Sequence, residues 1–367
     1  MPLVVTSNAV TSGTQTGAAV QNNVSRRARS APMRAIGFDE LANRLGHLAE
    51  RNEDFTVKGR DLTFNPDGTL DVKGGPRVSW TDWSFSQFCA KLKVPADFLR
   101  RSPSGLGPDG SVPPASKKAI IDFWKERVDD NEFFVRTRRS DMRDAETGAT
   151  GFARGFLTTR YAVFDNLELL RMHGEFIRQH DLKLQVGHVS DKMFHVRMLF
   201  PEMVNAGTAE APDPHQFGTH MRNSEVGACN LQEDFLVFRQ ICTNGMIALL
   251  NKEHLIDIRH VNIDRHQLRI AVASVADTVL DNHDEVIGRL QVARDITIAN
   301  PERELSRFLR SNRATDDFLD MAEKAFQREP NATRFGLIQA ITRAAQALPT
   351  DSRVQMEEAA GRLLLAA

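Results

Sequence analysis

Cysteine is scarce: the 367 residues hold three, Cys89, Cys229 and Cys242, and none forms a Cys-x-x-Cys pair. That spacing supports neither a disulfide framework nor a cysteine-built zinc site. Long apolar runs are missing as well. Stretches such as Ile247 to Leu250 and Leu363 to Ala367 fall far short of the roughly 20 residues that cross a bilayer, so no membrane partner is expected. The apolar start, Pro2 to Val5, has no charged region before it and is too brief for a secretory signal, which makes a reducing cytoplasm the expected location. There is no surplus of either charge. Forty-seven Lys and Arg face 48 Asp and Glu, which excludes a uniformly basic, histone-like chain but leaves room for a local basic face. With 41% apolar and 26% charged residues the composition is that of an ordinary globular protein, so wholesale disorder is excluded.

The common signatures of catalysis are absent too. The chain has no His-Glu-x-x-His, no Gly-x-Ser-x-Gly and no P-loop, and neither a metal nor any other cofactor is expected. His173 and His180 lie two helical turns apart, too far to share an ion without further ligands, and His283 sits among Asp281, Asp284 and Glu285 on a polar face. Gly105 to Gly110 spells G-x-G-x-x-G. It follows a helix and runs into a proline-rich loop, whereas a dinucleotide turn follows a strand and opens a helix.

What is present divides the chain into four parts. Residues 1–34 read as a flexible basic tail: Arg26, Arg27, Arg29 and Arg34 all precede Asp39, the first acid. Residues 35–130 read as mostly helical, with Phe38, Leu41, Leu45 and Leu48 at helical spacing and Thr81 or Ser84 placed to cap a further helix. A short hairpin turns at Asn65-Pro66-Asp67-Gly68. Residues 131–245 alternate as strands, with extended runs at 133–139, 152–158, 182–189, 193–200, 217–224 and 227–241, a helix over 165–180, and a loop over 201–216. From 246 to 367 the pattern is helical: a first helix over 246–251, a long one from about Asp264 to Ile298, one capped by Asn300 with Pro301 at its first position, and others capped by Thr315, Thr333 and Asp351. The expected fold is α+β, a central antiparallel sheet with flanking helices and a C-terminal helical bundle.

The most informative local pattern interleaves arginine with aromatics. Arg136, Arg138, Arg139, Arg143, Arg154 and Arg160 share a short span with Phe134, Phe152, Phe156 and Tyr161, the only tyrosine. Guanidinium groups neutralise phosphates while rings stack on unpaired bases, the chemistry of single-strand binders. The same pattern also fits a sheet whose phenylalanines are core and whose arginines reach solvent. A second cluster joins Arg222, Asn223, Ser224 and Glu225 to Arg239 and then Thr243, Asn244 and Gly245. Arg239 falls on an apolar strand face, so it either pairs with an acid such as Glu225 or lines a cleft. Asn244-Gly245 suits a strand-to-helix turn with positive φ.

These motifs resemble a known family. Arg154-Gly-Phe-Leu-Thr-Thr-Arg160-Tyr161-Ala-Val-Phe-Asp165-Asn166, then Asn223-Ser224-Glu225-Val-Gly227, then Phe238-Arg239-Gln-Ile-Cys242-Thr243-Asn244-Gly245-Met246, and finally Phe335-Gly336-Leu-Ile-Gln339-Ala-Ile-Thr342-Arg343-Ala-Ala-Gln are similar to signatures of the phage and plasmid proteins grouped as domain of unknown function 932. The likeness runs from about residue 80 to the end, with Gly155 and Gln339 departing from the usual Ala and Asn. It implies work on DNA in a mobile element but carries no settled activity, and its mixed layout is similar to that of phage annealing proteins. The expectation is a single-stranded DNA-binding protein promoting annealing or recombination, without an enzymatic site and acting as a homo-oligomer. The six arginines and Tyr161 would contact the strand, and Asn166, Asn223, Ser224, Glu225, Arg239, Thr243, Asn244 and Gly245 are marked by the family motif. The alternatives are a structural or protein-interaction component, and a metal-dependent nucleic-acid enzyme using Asp165 and Glu225.

Overall fold

In the computed structural model, which describes residues 34–239, 244–248 and 254–366, two sheets carry the strand-like centre of the chain where one was expected. The seven-stranded sheet runs β1 (Arg34–Ile36), β8 (Lys183–Val189), β9 (Phe194–Asn205), β10 (Pro214–Asn223), β11 (Leu231–Arg239) and β12 (Asn244–Ala248), with β13 (Ile256–Ile258) also on β11, all antiparallel. The six-stranded sheet runs β2 (Asn52–Lys58), β6 (Glu132–Arg139), β7 (Gly151–Thr158), β5 (Arg77–Trp80), β4 (Leu70–Val72) and β3 (Leu62–Phe64). Its ladders are antiparallel except for β5 on β7. The two arginine-rich strands β6 and β7 thus belong to a different sheet from the strands that hold the Asn223–Gly227 loop.

Local chemistry explains most of the helices. Phe38, Leu41 and Leu45 lie along one side of α1 (Phe38–Ala49), and both leucines are buried. Thr81 starts α2 (Asp82–Leu92) with a reciprocal capping box to Ser84. α3 (Ala96–Arg101) and α4 (Lys117–Lys125) follow, the latter capped by Ser116. The helix expected over 165–180 is two, α5 (Asn166–Met172) and α6 (Gly174–Gln179), meeting at His173. Asp264 caps the unbroken α7 (Arg265–Asp295), whose Val272, Val275, Val279, Val286 and Leu290 are buried on the seven-stranded sheet's core side. Asn300, Thr315 and Thr333 cap α8 (Pro301–Ser311), α9 (Asp316–Arg328) and α10 (Arg334–Ala345). α11 (Thr350–Leu365) completes the bundle, but Asp351 lies in its first turn and binds His195 instead of capping. No helix among the described residues is long and apolar enough to cross a membrane.

Other expectations need correction. The segment 35–130 holds α1 to α4 and the hairpin expected about Asn65–Gly68, which is β3–β4, but also the unexpected strands β2 and β5; Leu62, Phe64, Leu70 and Val72 build a second core with Phe88 and Phe156. The loop expected over 201–216 is shorter, since β9 runs on to Asn205 and β10 begins at Pro214. The start of the helix expected at 246–251 is strand β12, paired to β11 from Phe235↔Ala248 to Arg239↔Asn244; residues 249–253 lie outside the described residues.

Candidate functional site

Strand alternation aims Arg136 and Arg138 of β6 at the junction between the sheets, a bulge in the β6–β7 ladder turns Arg154 of β7 the same way, and there they are consumed. Arg136 is 1% exposed and donates from Nε to Asp54 (2.8 Å), from Nη1 to the Glu225 carbonyl (2.9 Å) and from Nη2 to Asp165 (3.0 Å). Arg154, also buried, donates to Asn52 Oδ1 (2.9 Å) and to Glu225 Oε2 (2.7 Å). Arg138 reaches Asn52 Oδ1 (3.0 Å) and Asp191 (2.6 Å). Glu225 accepts the Asn166 amide on its other oxygen (2.9 Å), and Asn223 Nδ2 donates to Asn166 Oδ1 (2.8 Å) and to the Phe164 carbonyl (2.9 Å). Ser224 Oγ donates to the Lys192 carbonyl and accepts the amides of Val226 and Ala228, which shapes the loop.

The charges are tuned by this packing. Burial works against charge on Arg136, yet Asp54, Asp165 and Glu225 more than offset it and raise its pKa. Burial and the neighbouring Arg154 pull Arg138 down to about 10. Burial also opposes charge on Glu225, but Arg154 and the Asn166 amide hold the carboxyl below its usual range. Asp165 moves the other way, raised by burial and by the nearby acids Glu225 and Asp54 against the pull of Arg136.

The phosphate-holding role expected of Arg136, Arg138 and Arg154 is therefore corrected. Releasing a buried guanidinium from its carboxylate leaves an unpaired buried charge, at a cost of roughly 3–5 kcal/mol. Arg139, Arg143 and Arg160 are exposed; Arg139 pairs with Glu53 (3.1 Å) and Arg143 donates to the Gly148 carbonyl. Tyr161 is not a free stacking platform. Its hydroxyl donates to the Ser224 carbonyl (2.7 Å) and accepts the Gly227 amide, and its ring stacks on His260 at 5.0 Å. Arg239 does pair with an acid, but with Asp213 (2.6 Å), while Gln339 takes its Nη1 (3.1 Å); Glu225 belongs to Arg154. Thr243 lies outside the described residues, and Asn244 opens β12. Gly245 has no positive φ: a Cβ there would sit 2.6 Å from Arg197 Nη1, so glycine is needed for the close approach of a guanidinium.

A second polar layer lies between the seven-stranded sheet and α11. Arg197 pairs with Glu357, Arg222 with Glu358 (2.8 Å), and His195 bridges His220 (3.3 Å) and Asp351 (3.1 Å). Among the described residues no three His, Cys, Asp or Glu side chains gather as metal ligands.

Three arginines without such commitments share one face built by helices. A groove of about 850 Å³ runs between α5, α6 and α7, with Leu167, Phe176 and Val272 in its wall. Two of its acids are taken, Asp165 by Arg136 and Glu168 by Arg265 (2.7 Å). Arg171, Arg178 and Arg269 line the same groove, and none has an acid partner among the described residues, leaving them against Glu175 alone. The spacing of Arg171 and Arg178 on the helical stretch 165–180 was the sequence signal for this face. Arg269 carried none, since only the fold brings α7 alongside.

A family model described as "Domain of unknown function (DUF932)" matches residues 154–358. No curated protein and no solved structure matches the chain.

Proposed function

Because the chain belongs to the DUF932 family, whose description assigns no activity, we propose from the geometry that it is a non-enzymatic single-stranded DNA-binding protein, working in annealing or recombination as a homo-oligomer, and that the strand lies in the α5–α6–α7 groove. One observation carries this reading: three arginines line one open groove in which two of the three acids, Asp165 and Glu168, are already engaged by other arginines, leaving Glu175 as the one carboxylate against them. Uncommitted arginines are ready to replace the counterions of a phosphate backbone without first breaking an ion pair.

The test is fluorescence anisotropy with a labelled thymidine oligonucleotide across a salt series. Each phosphate contact on a single strand contributes a slope of about −0.7 in log K against log salt, so replacing Arg171, Arg178 and Arg269 together by Ala is expected to flatten the slope by about 2. The triple Ala exchange at Arg136, Arg138 and Arg154 is expected to unfold the protein before it reports on binding. Absence of binding at low salt, or a slope unchanged in the groove variant, overturns the proposal.

A further inference from the structure

We propose that the outer edge of β2 pairs with β2 of a second copy of this chain, joining two six-stranded sheets across a two-fold axis. β2 ends its sheet, with β6 as its only ladder neighbour among the described residues. The ladder is bracketed by the Arg139 amide donating to the Arg51 carbonyl and the Gly59 amide donating to the Asn131 carbonyl, both at 2.9 Å. Antiparallel alternation then gives the bonds toward β6 to Glu53, Phe55 and Val57, and turns the N–H and C=O groups of Asn52, Asp54, Thr56 and Lys58 outward.

Natural proteins blunt such an edge with a bulge, a proline, a covering element or free charges. β2 contains no proline, and its register with β6 is unbroken from Asn52 to Lys58, whereas β6–β7, β8–β9 and β9–β10 each carry a shift. Its acids do not guard the edge: Glu53 is held by Arg139 (3.1 Å) and Asp54 by Arg136 (2.8 Å). Thr56 and Lys58 are exposed.

The occupant follows from self-complementarity. A two-fold axis through Phe55 sets Asp54 opposite Thr56 of the partner subunit and Asn52 opposite Lys58 of the partner subunit, so outward-facing groups meet only outward-facing groups. About eight backbone hydrogen bonds result. The same register puts Lys58 diagonal to Asp54 of the partner subunit on one face, opposite charges within reach, while on the other face Phe55 stays packed on its own core beside Gly75. An interface this short belongs to the weak class, so association in the range of about 10–100 μM is expected.

Sedimentation velocity from about 1 to about 200 μM reads the association, and amide hydrogen exchange reads the surface. The Asp54 and Thr56 amides are expected to exchange about tenfold more slowly at high than at low protein concentration. Thr56→Pro removes an outward N–H that the protomer's own ladder does not use, and an edge strand accepts proline there, so this variant is expected to stay folded and monomeric. A parent chain that stays monomeric, a Thr56→Pro variant that still dimerises, or a dimer with unprotected β2 amides each overturns the proposal. If Thr56→Pro fails to fold, exchange in the parent chain decides alone. The readout needs no nucleic acid, so failure here leaves the groove reading untouched, and the converse holds.

Discussion

Glu225 shows how one side chain can hold two sheets in register. Its two oxygens serve partners from different parts of the fold, Arg154 on β7 and the Asn166 amide at the start of α5, while its carbonyl accepts from Arg136. Glu225→Gln keeps the shape but turns one acceptor into an NH₂ group that faces a guanidinium. The expected loss is roughly 3–5 kcal/mol, because a buried Arg154 then has only Asn52 left. Urea unfolding measures it. A loss below about 1 kcal/mol would show that Arg154 finds a new acceptor and that the pair is not what ties the sheets. The sequence made the arginines visible, but their fate was decided by partners far along the chain. Asp54 is 82 residues from Arg136, and Asn52 is 102 from Arg154. Alternation says that Arg136 points away from the phenylalanine core; it says nothing of what stands on the other side.

Elements whose ends are written in local chemistry were legible, and those defined by their neighbours were not. Asn300 before Pro301, Thr315 and Thr333 each place an oxygen on the free amides of a first helical turn, a contact spanning three residues. β12 had no such mark. Met246, Ile247 and Ala248 are all buried between β11 and the terminal helices, and an apolar run covered on both faces has no period to separate strand from helix. The Thr81 cap allows a direct measurement at this scale. Its hydroxyl accepts the Ser84 amide (3.1 Å) at the head of α2, which packs on β7 through Ser84 Oγ donating to the Ala153 carbonyl (2.6 Å). Thr81→Ala is expected to cost about 1 kcal/mol, read as a lowered Tm, because the cap is local and the packing contact survives. A loss several times larger would mean that the capping box also sets the seat of α2 on the sheet.

Across the whole molecule, the buried polar layers make stability depend on pH in a direction that can be worked out. His220 is buried between the sheet and α11, beside His195 and near Arg197, Arg222 and Arg353, and burial together with those cations pushes its pKa well below 6.5. His215 and His260 are lowered too, burial being the main cause. A histidine depressed by folding binds its proton more readily in the unfolded chain. Its contribution is therefore intact above about pH 6.5 and is lost as the pH falls below that value. His173, where Glu233 outweighs burial, and His254, bonded to Asp234, are raised and act in the opposite sense: their contribution is present below 6.5 and fades as the pH rises through their folded values. Glu225 adds to the acid loss only lower down, below the ordinary carboxylate value of 4.5, because its folded pKa is depressed. His220, the histidine pushed well below 6.5, is buried beside three arginines, so Tm is expected to fall between about pH 7.5 and about pH 5.5. His220→Gln removes the titrating ring while keeping a polar side chain beneath α11, and its Tm is expected to fall less over the same interval, whatever its absolute value. Equal falls in the two proteins would place the acid sensitivity outside the layer under α11, with His215 and His260 the remaining lowered histidines to test.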